Sequence, residues 1–314
     1  MKKLRAFISI IAVIAIISVM FSGCSLFSKK ENSESDEPSH TQTTTSVAED
    51  VIAPEDVTWN GDMFEAINND GLLNILLIGQ DRRPDEGRQR SDCMILCSLN
   101  PETKELSMIS FLRDLYVQIP GHSDNRLNAA YVYGGFDLIK ETLEHNFGVA
   151  VDGCLEVDFD SFEQIVDILG GVEIELTSAE AEIVGSGATE GLCHLNGAQA
   201  LTYTRIRKID SDFQRTARQR TLLNAVFSKM KGCTVTELMT VVGEILPLMT
   251  TDMTDEELMS FAFNLASSLS ELRIENYGVP SSGNYQNATI NGMAVLVPDL
   301  YEIKKLIFEE YLPV

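Results

Sequence analysis

The sequence predicts a single α/β/α domain, a central mixed sheet with helices on both faces. Three observations lead there. From residue 72 onward, apolar runs of strand length interleave with segments of helical period. No break in composition interrupts that interleaving, and 314 residues leave ample length for a core. The second and third apolar runs are joined by a short polar turn, as in a hairpin.

In chain order, LLNILLIG (72–79) is the first strand and SDCMILCSL (91–99) the second. NPETKE is a turn, and LSMISF (106–111) is a third strand paired with the second. GGFDLIKETLEHNFG reads as an amphipathic helix with Phe136, Ile139, Leu143 and Phe147 on one face. VDGCLEVDF is a strand, after which Asp160 caps SFEQIVDIL, a helix closed by Gly170-Gly171. VEIEL alternates as a strand, and an extended 203–207 would point Arg205 and Arg207 the same way. DFQRTARQRTLLNAVFSKMKG is a long helix ended by Gly232. Thr254 and Glu257 form a capping box for the next helix. Strands near 272–279 and 292–297 and a last helix from Pro298 complete the chain.

The N-terminus is an address. A basic MKKLR precedes an uncharged apolar run of 16 residues, followed by SGCSLF. The run is short for a membrane span, which needs roughly 20 apolar residues. Residues 1–23 thus read either as a lipoprotein signal, cleaved before an acylated Cys24, or as an uncleaved anchor. Both readings place the remainder outside the cytoplasmic membrane and tethered to it. Cleavage would remove Lys2, Lys3 and Arg5 and take the formal charge from −23 to −26. Residues 24–71, with KKENSESDEPSHTQTTTSVAEDV, are too polar to fold and read as a disordered tether. Residues 72–314 form the folded domain. Cys93, Cys97, Cys154, Cys193 and Cys233 show no metal-binding spacing. Cys93 and Cys97 would lie about 13 Å apart on a strand, too far to bridge. Buried free thiols and a disulfide between distant cysteines both remain open.

A formal charge of −23 argues against nucleic acid as a partner. It does not forbid one small anion in a locally basic pocket. Nine of the 13 arginines fall in two short stretches, 82–90 and 205–220. The second holds six cations against two anions and opens a helix, whose N-terminus is a natural anion seat. Arg215, Arg218 and Gln219 share one face of that helix. Arginine's planar fork bonds phosphate in bidentate fashion. In the first stretch, GQDRRPDEGRQRSD follows one strand and leads into another, so its polar groups cluster at strand ends, where α/β folds place ligands. Asp81 and Asp92 flank it, Arg90 sits beside Asp92, and Arg113-Asp114 closes the third strand. Two carboxylates with arginines suit a Mg²⁺–phosphate site. A solvated basic face is the plainer account of a single such cluster; three pieces at similar strand ends weaken it.

GQDRR…RSDCMILCSLNP, SFLRDLYVQIPG, RLNAAYVYGG, VDILGGVEIEL and LNGAQALTYTRIRK…DFQRTARQR together resemble the LytR-CpsA-Psr family of cell-wall enzymes. The resemblance runs in order from about Leu72 to Lys231. It implies a membrane-anchored, extracytoplasmic phosphotransferase that moves a glycopolymer from a polyprenyl-pyrophosphate carrier onto peptidoglycan. Residue by residue, it implies that Asp81 and Asp92 bind Mg²⁺ and that Arg90, Arg113, Arg205 and Arg207 clamp the pyrophosphate. Arg215, Arg218 and Gln219 would line the head-group side. Leu112, Cys93 and Arg126 depart from the family's usual proline, threonine and lysine without removing a charge. A long apolar lipid pocket is implied as well, for which Val132, Phe136, Ile165, Leu169, Leu223 and Phe227 are candidates, although core packing explains each of them equally well. The general base stays open among Asp81, Asp92 and Asp114.

Three alternatives compete with this reading. A non-catalytic module that only holds the lipid pyrophosphate could dispense with metal ligands. A pyrophosphatase would use the same site with water as nucleophile. A transcriptional regulator would need a cytoplasmic, DNA-facing basic surface, which the export signal and the charge oppose. His40, His122, His145 and His194 are scattered, and neither a GxSxG elbow nor a P-loop is present.

Overall fold

The computed structural model describes residues 50–61, 71–80, 87–231 and 244–313. After β1 (Asp50–Val51), strands β2 (Leu73–Gln80), β3 (Ser91–Asn100) and β4 (Glu105–Phe111) form an antiparallel meander. The short β5 (Tyr116–Val117) and β6 (Asn125–Arg126) pair with each other and lead into α1 (Leu127–Phe147). Strand β7 (Gly153–Asp158) joins β2 in parallel, β10 (Thr250–Thr251) adds to β7, and β11 (Arg273–Val279) joins β4 in parallel. The central sheet is therefore six-stranded and mixed, in the order β10-β7-β2-β3-β4-β11.

Alternation along the strands divides the core in two. Ile75, Leu77, Ile95, Cys97 and Leu155 face one layer, together with helices α2 (Phe159–Ile168), α3 (Ser178–Val184), α4 (Gly197–Thr204), α5 (Asp212–Lys231) and α6 (Asp255–Ser268). Leu76, Ile78, Met94, Leu96 and Ile109 face the other, against α1 and α7 (Leu300–Leu306). The three-layer expectation holds. The six apolar candidates for a lipid pocket do not share one side: Ile165, Leu223 and Phe227 lie in the first core with Leu169 against it, whereas Phe136 packs on the second.

Local expectations are met with specific corrections. The helix predicted from Gly134 starts at Leu127, and Gly135 (φ 68°, ψ −145°) kinks it, a conformation open to glycine. The helix after β7 is capped by Asp158, whose Oδ1 accepts from Ser161 N at 3.0 Å; Asp160 lies inside its first turn. Residues 203–204 end α4, and Arg205 is its C-cap, so Arg205 and Arg207 are not aligned by strand alternation. VEIEL pairs antiparallel with β9 (Gly191–Leu195) in a separate two-stranded sheet, apart from the central one. A strand at β12 (Tyr285–Ile290) precedes β13 (Met293–Pro298) and was not anticipated.

Part of the stretch assigned to the tether packs on the domain. β1 runs parallel to β12, Trp59 stacks on Tyr116, Asn60 bonds Asp299 at 2.8 Å, and Lys304 Nζ donates to Gly61 O. The leader, Cys24 and Gly232 fall outside the described residues, among which no helix is long and apolar enough to cross a membrane.

At one edge of the sheet, the ends of β2, β4, β7 and β11 meet the beginning of β3. The register places Gln80 opposite Asp158 and Val279 opposite Phe111. Backbone turns out of the sheet here, leaving polar side chains beside one another.

Candidate active site

Asp92 sits at an irregularity in the β2–β3 pairing: Gly79 pairs with Cys93 and Gln80 with Ser91, leaving Asp92 as the extra residue. Bulges of this kind redirect a side chain out of the regular pleat. Asp92 is nearly buried at 9% exposure, and its Oδ1 lies 3.0 Å from Arg113 Nη1, just past the end of β4. Asn128 Nδ2, from the first turn of α1, approaches the same oxygen at 3.5 Å. Arg207 Nη2 lies 3.8 Å from Oδ2. Arg113 Nε also lies 3.4 Å from Asp114 and 3.7 Å from Asp212, and Arg126 shares Asp114.

The start of α5 closes the site. Asp212 opens the helix and holds Arg215 Nη2 at 2.5 Å. Arg215 is wholly buried, and burial lowers its pKa to about 10. Asp212 opposes that shift, while the like charges of Arg207 and Arg113 reinforce it. Arg113 moves the other way: burial works against its charge, but Asp92, Asp114 and Asp212 outweigh it and raise its pKa. One turn along α5, Gln219 Oε1 accepts from the buried Cys93 thiol at 3.5 Å. Gln219 Nε2 is buried without a hydrogen-bond acceptor among the described residues. Arg220 Nη1 donates to Ser110 Oγ on β4 at 2.8 Å, tying the helix to the sheet.

A buried network supports the approach to Asp92. Gln89 N donates to Gln80 Oε1 at 2.9 Å, and Gln80 Nε2 donates to Glu156, which also accepts from Tyr131 OH. The Arg88 guanidinium lies 5.4 Å from the Tyr131 ring. Burial first, and then Glu156, hold the Tyr131 pKa far above its usual value, so its hydroxyl stays a donor.

The structure gathers Asp92, Arg113, Arg207, Arg215 and Gln219 around one point, and leaves other predicted residues elsewhere. Arg218 is committed to structure: Nε bonds Glu180 at 2.6 Å, Nη1 bonds Asp210 at 3.1 Å and Ile206 O at 3.2 Å, and Nη2 bonds Asp210 again. It shares the predicted helix face, but its long side chain reaches past the site to pin the 206–210 loop onto α3. Arg205 stacks on Phe159 at 4.4 Å, beside the end of β7. Arg90 is exposed, two residues before Asp92. Asp81 lies outside the described residues. Sequence reasoning passed over Asn128, Asp212 and Cys93 as site members. Asn128 stood inside RLNAAYVYGG, ahead of the helix read from Gly134, so its place in the first turn of α1 gave no signal in the sequence.

No group of three His, Cys, Asp or Glu side chains able to hold a metal occurs among the described residues. A Mg²⁺ site does not require one, because Mg²⁺ binds through one or two carboxylates plus phosphate oxygens and water. Asp92 offers a hard oxygen ligand of that kind at the right edge of the sheet. The four residues Arg113, Arg207, Arg215 and Gln219 present donors and no acceptor except the Gln219 amide oxygen, which Cys93 occupies. Such a set of donors suits an oxyanion.

The model of the LytR_cpsA_psr family matches residues 21–308. The "Polyisoprenyl-teichoic acid--peptidoglycan teichoic acid transferase TagU" of Oceanobacillus iheyensis is 33% identical over 250 residues, covering 74% of this chain and 73% of that protein. "Regulatory protein MsrR" of Staphylococcus aureus is 29% identical over 229 residues, covering 72% and 69%. The solved structure "TagT bound to LIIa-WTA" superposes with a TM-score of 0.64 over 86% of this chain and 99% of that one. At 24% identity that likeness shows the fold alone. B. subtilis TagT, at 26% identity, gives a TM-score of 0.62 over 83% and 99%.

Proposed function

Because the chain belongs to the LytR_cpsA_psr family, we propose that it is a phosphotransferase of the cell envelope. It transfers an anionic, teichoic-acid-type glycopolymer from a polyprenyl-pyrophosphate carrier to peptidoglycan, outside the cytoplasmic membrane to which its N-terminus tethers it. The observation that carries this reading is the wholly buried Arg215 held beside Arg207 and Arg113 at the strand ends. Burial and the like charges of Arg207 and Arg113 work against the Arg215 cation, and an anion bound among the three guanidinium groups would offset that cost. A diphosphate supplies that charge, and Gln219 Nε2 supplies a donor to a further oxygen.

In this site Arg113, Arg207 and Arg215 bind and orient the diphosphate. Asp92, Asp114 and Asp212 hold the guanidinium groups in position beforehand, so little reorganisation is needed as charge develops. Asp92 together with Asp81 would hold Mg²⁺, which when bound supplies further charge neutralisation at the phosphate oxygens. A sugar hydroxyl of the acceptor attacks the phosphorus nearest the polymer. A new P–O bond to the acceptor forms, the bond to the bridging oxygen breaks, polyprenyl phosphate leaves, and the hydroxyl proton passes to a site carboxylate. Phosphoryl transfer asks mainly for positioning and electrostatic stabilisation, which this inventory offers.

The test uses the full-length chain in detergent with a short polyprenyl-pyrophosphate glycan and peptidoglycan fragments. Release of polyprenyl phosphate and formation of the linked product are followed with Mg²⁺ and with EDTA, beside Arg113→Ala and Asp92→Ala. Linked product that needs Mg²⁺ and disappears in both variants supports the ligase. Tight carrier binding with no turnover, unchanged in Asp92→Ala, replaces it with a binding module. Polyprenyl phosphate released without linkage makes the protein a pyrophosphatase.

A further inference from the structure

A cleft of about 520 Å³ opens beside the phosphate clamp, within the roughly 300–1,000 Å³ range of small-ligand sites. Phe213, Tyr277, Tyr285 and Tyr311 line it together with Asn276 and Ser282. Tyr277 and Tyr311 stack with ring centroids 4.2 Å apart, and Phe213 and Tyr285 meet at 5.6 Å. Among the described residues, no charged side chain lines it.

Two features join the cleft to the clamp. Phe213 directly follows Asp212, the carboxylate shared by Arg113 and Arg215. Val279 O accepts from Leu112 N at 2.8 Å, which brings the 280–282 wall of the cleft alongside Arg113. These two connections set the cleft next to the residues that carry Asp212 and Arg113.

Aromatic walls with interspersed hydroxyl and amide groups suit a pyranose, whose C–H faces lie against electron-rich ring faces while its hydroxyls bond the polar groups. The surroundings select among pyranoses. The described residues that line the cleft offer hydroxyl and amide groups but no cation to pair with a polyanionic polymer, which favours an uncharged glycan. We propose that this cleft is the acceptor subsite, seating an uncharged N-acetylhexosamine strand so that one of its hydroxyls faces the clamped phosphorus. This rests on the transferase reading and adds where the acceptor binds.

The experiment separates the two. Binding of chitotetraose, a neutral N-acetylglucosamine oligomer, to the full-length chain in detergent is measured by saturation-transfer NMR and calorimetry, without carrier or turnover. Carrier binding is measured in parallel. Tyr285→Ala and Asn276→Ala are expected to weaken chitotetraose tenfold or more, and Tyr285→Phe to restore it. Carrier affinity should stay within twofold in all three, and Arg113→Ala should lose carrier while keeping the oligosaccharide. Thermal melting identifies any variant that has lost its fold, and Asn276, on the surface, serves where Tyr285→Ala fails to fold. Oligosaccharide binding unchanged in both alanine variants overturns the proposal. Loss of carrier affinity in Tyr285→Ala with oligosaccharide binding intact also overturns it, by assigning the cleft to the donor glycan. Absence of transfer in the parent protein with oligosaccharide bound at this cleft would instead count against the transferase reading alone.

Discussion

Asp92 Oδ1 and Arg113 Nη1 meet at 3.0 Å across the ends of two adjacent strands, one residue at the bulge that begins β3 and the other just beyond β4. The pair fixes the centre of the clamp, since Arg113 reaches Asp114 and Asp212 as well. Arg113→Ala should lower transfer by about 10²–10³-fold, the scale of losing one preorganised donor to developing charge. It also leaves a nearly buried Asp92 with Arg207 at 3.8 Å, which costs up to about 3 kcal/mol of stability. Single-turnover transfer and thermal melting read the two effects separately. A melting change with transfer intact would show the pair to be structural only.

Arg215 sets a sharper test because it is buried among like charges. Burial and the neighbouring Arg207 and Arg113 lower its pKa, yet at about 10 it still carries charge at neutral pH. A lysine in the same place starts from a lower intrinsic value and feels the same downward push. Arg215→Lys should therefore transfer best at low pH and lose activity as pH rises from 7 to 9 and the amine deprotonates. The parent protein should keep its activity over that interval. A flat profile in the variant would place residue 215 outside the charge-binding set.

The parts of this site that could be read from the sequence are those built from neighbouring residues. Apolar runs of strand length in 72–79, 91–99 and 106–111 locate three strands and their ends, and Arg113 and Asp92 follow from those ends. Arg218 could not be assigned in the same way. Its partner Glu180 is 38 residues away, and only the packing of α3 on α5 shows that its charge is already spent. The extended reading of 203–207 failed for a local reason. Asn196 and Gln199 form a capping box that starts α4, and a helix of only eight residues leaves a weak period to detect. Pairing of β1 with β12 was illegible because two residues in a polar stretch carry no pattern.

Cys93 illustrates a positioning contact with a measurable signature. Its thiol is 1% exposed, burial raises its pKa strongly, and it donates to Gln219 Oε1. A protonated, enclosed sulfur should resist alkylation in the native protein. Cys93→Val removes the donor and leaves the buried amide oxygen of Gln219 unsatisfied, costing about 1–3 kcal/mol. Cys93→Thr retains a donor of similar size and should recover most of that loss. Carrier affinity should follow the same order, valine weakest, because the orientation of Gln219 Nε2 depends on what holds the other end of the amide. Equal affinity in the two variants would mean that Gln219 does not touch the carrier.

The Glu180–Arg218 pair gives the domain an acid-sensitive joint. Burial alone would raise the Glu180 pKa, but bonds from Arg218 and Thr177 prevail and hold it below the ordinary carboxylate value. A depressed folded-state pKa stabilises the protein above the unfolded value, near 4.3 for glutamate, and the contribution fades as pH falls through the folded value. Glu180→Gln should therefore melt lower than the parent at pH 7, and the difference should shrink as pH is taken below about 4. Arg218→Ala should lower the melting temperature at pH 7 as well, since Glu180 and Asp210 both lose their partner. Its carrier affinity should change far less than that of Arg113→Ala. Melting curves from pH 3 to 7 and carrier titrations of the two arginine variants decide the matter, and a carrier loss in Arg218→Ala as large as in Arg113→Ala would return Arg218 to the clamp.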